Sequence, residues 1–144
     1  MDFNGKVAAI AYACALITLV ILDVAWLRVV MRPLYQAELG EMIRARPLLA
    51  PAAVFYLLSV LGIVVFAIMP GVESTSLLRA GLLGGFLGLL AYGASDLTNL
   101  ATLKQWPLNL AVLNIAWGTF VTAVAAVSGT AAVITLSRQT LVLR

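Results

Sequence analysis

Residues 22–27 read Leu-Asp-Val-Ala-Trp-Leu, and residues 113–118 read Leu-Asn-Ile-Ala-Trp-Gly. Asp23 and Asn114 each lie inside a long apolar stretch, and each precedes a tryptophan by three residues. That spacing puts Asp23 with Trp26, and Asn114 with Trp117, on single helix faces. An unpaired carboxylate in bilayer hydrocarbon costs roughly 2.5–3.5 kcal/mol on insertion scales. Asp23 is therefore expected to face polar partners or water, with Asn114 as the amide that donates to it. A packing hydrogen bond between two helices is the plainer alternative, worth ~0.6–2 kcal/mol.

Other polar and aromatic residues fall at a similar depth. Asp96, Thr98 and Asn99 stand near the end of the third apolar segment, and Tyr92 lies just before them. Phe55 and Tyr56 open the second segment, while Trp26, Tyr35 and Trp106 are near the same boundary. Asp23 is the candidate acid or base of such a site. Trp26, Tyr56, Tyr92, Asp96, Asn99, Asn114 and Trp117 are its candidate ligand-binding residues. The opposite end offers Glu73 and a few hydroxyls. Alternative readings attach to several of these. Trp106 suits an interfacial anchor, and Asp96 and Asn99 suit the termination of a helix.

The elements that must hold this cluster follow from composition. Of 144 residues, 63% are apolar and 10% charged, far from the soluble norm of about 45–50% and about 25%. The chain reads as an all-α polytopic membrane protein forming one four-span domain over residues 1–144. The spans are expected at about 7–30, 52–69, 77–94 and 108–136. Short connections make neighbours antiparallel, giving an up-down four-helix bundle. The first apolar run is too long for a cleaved signal peptide. Residues 31–49 alternate differently: Met31, Tyr35, Leu39 and Met42 on one face, Arg32, Gln36, Glu41 and Arg44 on the other. With Pro33 to start and Pro47 to end it, this predicts a short amphipathic interfacial helix between the first two spans. An irregular loop is the alternative. Ser74, Thr75 or Ser76 is expected to cap the third span.

Loops one and three define one side of the bundle, the B side. They carry Arg28, Arg32, Arg44, Arg46 and Lys104, against Lys6, Arg79, Arg138 and Arg144 opposite. This slim bias favours loop one in the cytoplasm and both termini outside. The formal charge of +3 is too scattered for nucleic acid. With no histidine and one cysteine, Cys14, no metal site is expected, Cys14 reads as a small apolar filler, and no cofactor is indicated.

Gly81, Gly85, Gly88, Tyr92, Ser95 and Asn99 form a stripe along the third span. Glycines at such spacing let helix backbones approach closely. The third span is therefore expected to be the most enclosed. Its stripe packs within the bundle, or alternatively forms a homodimer through the Gly81/Gly85/Gly88 face.

Taken together, these segments resemble an uncharacterised family of small bacterial membrane proteins, domain of unknown function 2177. The resemblance rests on Leu22-Asp-Val-Ala-Trp-Leu27, Phe55-Tyr56, Trp106-Pro107, Ala116-Trp-Gly-Thr119 and Tyr92-Gly-Ala-Ser-Asp-Leu-Thr-Asn-Leu-Ala-Thr-Leu103. It implies a multi-pass protein of the bacterial cytoplasmic (inner) membrane and brings no established activity. Relatives are often encoded near lipid-modifying enzymes of the cyclopropane-synthase kind. The family pattern favours an acid where this chain has Asn114.

Three functions fit the sequence. The first is a one-leaflet polar and aromatic pocket that binds or modifies a membrane lipid or another amphiphilic, hydrophobic small molecule. The second is a small oligomeric proton- or cation-coupled transporter using Asp23. The third is a structural or assembly subunit of a larger membrane complex. No strong nucleophile or cofactor motif is present to single out catalysis over binding.

Overall fold

The computed structural model describes residues 3–143. Four helices are long and apolar enough to cross a membrane: α1 (Gly5–Met42), α2 (Leu49–Glu73), α3 (Leu77–Thr102) and α4 (Leu108–Val142). No strand occurs among the described residues. Arg144, one of the cations opposite the B side, lies outside them.

The helix starts follow local chemistry. Asn4 Oδ1 accepts from the backbone N–H of Lys6 at 3.1 Å and Val7 at 3.0 Å, satisfying donors that the first turn leaves free. Of the three hydroxyl candidates for α3, Ser76 is the cap: its Oγ accepts from Arg79 N at 3.1 Å. Pro51 sits in the first turn of α2, and Pro107 immediately precedes α4. At both places a missing N–H is harmless.

Two prolines lie inside helices, and both are accommodated in the same way. In α1 a π turn spans Leu27–Met31, closed by Arg32 N–H bonding Leu27 O. In α2 another spans Val64–Ile68, closed by Met69 N–H bonding Val64 O. Each closing donor belongs to the residue just before a proline, Pro33 or Pro70. A proline inside a helix removes one N–H and crowds the carbonyl four residues back. Widening the preceding turn by one residue relieves that conflict without breaking the helix.

The amphipathic segment expected within residues 31–49 is present as a helix, Arg32–Leu39, with Pro33 in its first turn. It follows the π turn without a break and so extends α1, and helical structure ends at Met42, before Pro47. Met31 is fully buried and Tyr35 and Leu39 are half-buried, whereas Met42 is exposed. Likewise α3 does not end near residue 94; it runs on to Thr102, carrying Asp96 and Asn99 within it.

The helices pair antiparallel. Along α1 and α4, Cys14 Sγ meets Ser128 O at 3.5 Å, while Asp23 meets Trp117 nearer the B side. The α3–α4 pair is the most extensive, and α1 packs next most closely on α4. Consequently α4, not α3, is the most enclosed helix: it takes part in both of the closest pairings and has the largest buried share of the four. The glycine stripe serves the α3–α4 pair: Gly84, Gly85 and Gly88 all face α4 of the same chain. A Cβ on Gly84 would stand 2.6 Å from Ala126 Cβ and 2.9 Å from Thr122 O.

The second helix behaves differently along its length. Its Val64–Glu73 half packs on α3, whereas the Leu49–Ile63 half has scarcely any backbone approach to it. The change falls at the π turn, so α2 leans away from α3 toward the B side.

Thr130 is fully buried, and its hydroxyl has no hydrogen-bond partner. A buried hydroxyl without a partner is a net cost of about 1–3 kcal/mol. Thr130→Val, which keeps the shape, is expected to leave the melting temperature unchanged or raise it. A clear fall would mean that the hydroxyl is bonded in the membrane-embedded protein.

Candidate functional site

Asp23 lies on the inner face of α1, one turn from Leu19 in the core, and is 6% exposed. Its two oxygens are held from two directions. Tyr56 of α2 donates its hydroxyl to Oδ2 at 2.8 Å, and Trp117 of α4 donates Nε1–H to Oδ1 at 2.7 Å. The carboxylate thus joins three helices and does not face lipid.

The repeated motif meets itself across the α1–α4 interface. The Trp26 and Trp117 rings stack with centroids 4.3 Å apart and planes 1° from parallel. The exchange of hydrogen bonds is one-sided. Trp117 bonds Asp23, but Asn114 does not bond Trp26, whose Nε1 is buried without a partner. The expected Asn114–Asp23 contact is also absent. Asn114 instead donates to Asp96 Oδ2 of α3 at 2.7 Å. Three residues along a helix are about 60° apart in azimuth and 4.5 Å apart in height. That offset turns Asn114 to α3 and Trp117 to α1.

Asp96 is the second buried carboxylate, at 1% exposure. Its Oδ1 has no hydrogen-bond partner. The Trp106 indole approaches the same carboxylate without completing a hydrogen bond, and its Nε1 is also buried and unpaired. Tyr35 and Tyr92 both lie within electrostatic range of Asp23 and Asp96, so the two carboxylates share one neighbourhood. Neither carboxylate has an ion-pair partner among the described residues. Arg28 and Arg32, the nearest cations in sequence to Asp23, are exposed. No group of three or more His, Cys, Asp or Glu is arranged to hold a metal among the described residues.

The extension of α1 beyond its π turn roofs the cluster on the B side. It brings Tyr35 near both carboxylates, and Glu38 Oε1 accepts from Asn109 Nδ2 at the start of α4 at 3.2 Å. The cavity next to the cluster opens elsewhere. A cleft of about 300 Å³ lies where α2 leans away from α3. Phe55, Leu58 and Gly62 form its α2 wall, Leu87, Ala91 and Tyr92 its α3 wall, and Leu19 and Thr122 its floor. Phe55, Leu58 and Ala91 are exposed at the rim, so the opening is lateral, between two helices, rather than toward the B side. Tyr92 belongs to both cleft and cluster, and Phe55 packs edge-on against Tyr92 and Tyr56 at 6.2 and 5.7 Å.

Of the residues singled out in the sequence, Asp23, Trp26, Tyr56 and Trp117 form one contact set, and Asp96 and Asn114 form a second beside it. Tyr92 links the two through space. Asn99 is half-buried one turn beyond Asp96, and its side chain makes no hydrogen bond. Trp106 and Tyr35 were legible only as boundary aromatics. The cleft residues Gly62 and Ala91 carried no signal in the sequence, because small apolar residues are everywhere in such a chain.

A four-helix, all-α membrane bundle with a buried polar and aromatic cluster near one end is the class this architecture defines. Residues 8–131 match the family described as "Predicted membrane protein (DUF2177)", and the chain belongs to that family. No curated protein and no solved structure matches the chain.

Proposed function

We propose that the protein binds a lipid-like amphiphile in the bacterial cytoplasmic membrane. The apolar chain lies in the α2–α3 cleft, and the polar head lies at the Asp23–Asp96 cluster. The observation that carries this reading is the cleft itself: an apolar slot, open sideways at the rim, that shares Tyr92 with the buried polar cluster. Ligand sites generally pair an apolar lining with a few placed polar atoms. A lateral mouth suits a molecule that already resides in the bilayer. Both Asp23 oxygens are engaged by Tyr56 and Trp117, which favours a binding role for this carboxylate over proton transfer.

The test is mass spectrometry of lipid retained by the protein purified in mild detergent. Ala91→Phe should fill the cleft and strip the retained lipid, whereas Leu90→Phe, on an exposed neighbouring position, should not. Equal retention by both variants would remove the cleft from the site. A parent protein that retains no lipid, but copurifies with a stable protein partner, would favour the assembly-subunit alternative.

A further inference from the structure

We infer that the polar head recognised at this cluster is a primary ammonium group. The inference rests on the proposed amphiphile binding and specifies its charge. The first observation is charge balance. Two carboxylates, Asp23 and Asp96, are buried in one neighbourhood, with no cationic side chain paired to either among the described residues. An anionic head placed there would add negative charge beside two buried acids at low dielectric, where like charges repel strongly. A cation would be compensated.

The second observation is the unused acceptor. Asp96, at 1% exposure, keeps Oδ1 without a partner, while Oδ2 is taken by Asn114. Buried carboxylate oxygens rarely stay unpaired, so each one calls for an explanation. An ammonium carries only donors, three of them, and so would supply the hydrogen bond that Oδ1 lacks.

The third observation is the aromatic surround. Tyr35 and Tyr92 lie within electrostatic range of Asp96, the Trp106 indole approaches it, and the Trp26–Trp117 stack stands beside Asp23. Aromatic faces attract cations, and more strongly when water is excluded. The two unpaired indole donors, on Trp26 and Trp106, would take oxygen atoms neighbouring the amine on the same head group.

The site carries its own probe, because the three tryptophans of the chain, Trp26, Trp106 and Trp117, all belong to it. In neutral dodecyl maltoside micelles, intrinsic fluorescence would be followed while n-dodecylammonium, n-dodecyl phosphate or n-dodecanol is added. Dodecylammonium is expected to half-saturate at about tenfold lower concentration than dodecanol, with dodecyl phosphate weakest. Asp96→Asn, with helicity checked by circular dichroism, is expected to bring the ammonium down to the level of dodecanol. Phosphate binding as well as the ammonium, or an ammonium preference undiminished in Asp96→Asn, overturns the inference. The cleft reading survives that result if Ala91→Phe abolishes the dodecanol response. No saturable response to any of the three would overturn both. The ranking in the parent protein decides the inference even if Asp96→Asn does not fold.

Discussion

Gly88→Ala is expected to destabilise the bundle by about 1–3 kcal/mol, the usual cost of an added methyl in a filled core. The new Cβ would overlap the backbone carbonyl of Gly118 and stand 2.8 Å from Thr122 Oγ1. A side chain can rotate aside, but a helix carbonyl cannot move without shifting α4. Gly85→Ala is the matched control. Its Cβ would meet nothing nearer than 3.6 Å, and alanine is the better helix former by about 1 kcal/mol. Thermal unfolding in detergent should therefore show Gly88→Ala well below the parent and Gly85→Ala level with it or above. Equal melting temperatures for the two variants would mean that α3 and α4 stand further apart in the membrane at Gly88.

Asp23→Ala is expected to have the second large effect. It strands the Tyr56 hydroxyl and the Trp117 indole N–H, both part-buried, at about 1–3 kcal/mol for each unsatisfied donor. Asp23→Asn should behave quite differently. The amide oxygen can still accept from Trp117, and the amide nitrogen can donate to Tyr56, whose hydroxyl is able to accept. The asparagine variant should thus melt near the parent while the alanine variant melts far below it. If both melt equally low, the negative charge itself, rather than the pair of hydrogen bonds, holds the three helices together.

Much of the bundle was legible from the chain because hydrocarbon imposes a length. A run of apolar residues about 20 long must be a helix that satisfies its own backbone. Asp23 was legible for the same reason: a carboxylate at that depth needs partners. Depth alone does not give azimuth, however. Asn114 and Trp117 sit within one helical turn of each other, yet they turn to α3 and α1 respectively. The pairing of Asn114 with Asp96 needed the rotation of α4 about its axis. That rotation is fixed by where Gly84 and Gly88 allow α3 to settle. The cleft was hidden for a related reason. It arises from the tilt of half a helix beyond a π turn, and nothing in the local composition of α2 announces a tilt.

The extra residue housed by the Leu27–Met31 turn makes α1 sensitive to chain length in an unusual way. Leu27 O and Arg32 N–H are joined across five residues where an ordinary turn has four, so the bulge absorbs a residue that would otherwise turn everything beyond it by about 100°. Tyr35 thereby stays toward the two carboxylates and Glu38 toward Asn109. Deleting one residue inside the turn would leave Leu27 and Arg32 one α-turn apart and the roof close to its present direction, at the cost of returning the Pro33 ring to the carbonyl before it. The same deletion elsewhere in α1 would swing the roof away, so in a family alignment the place of a one-residue gap matters more here than its presence.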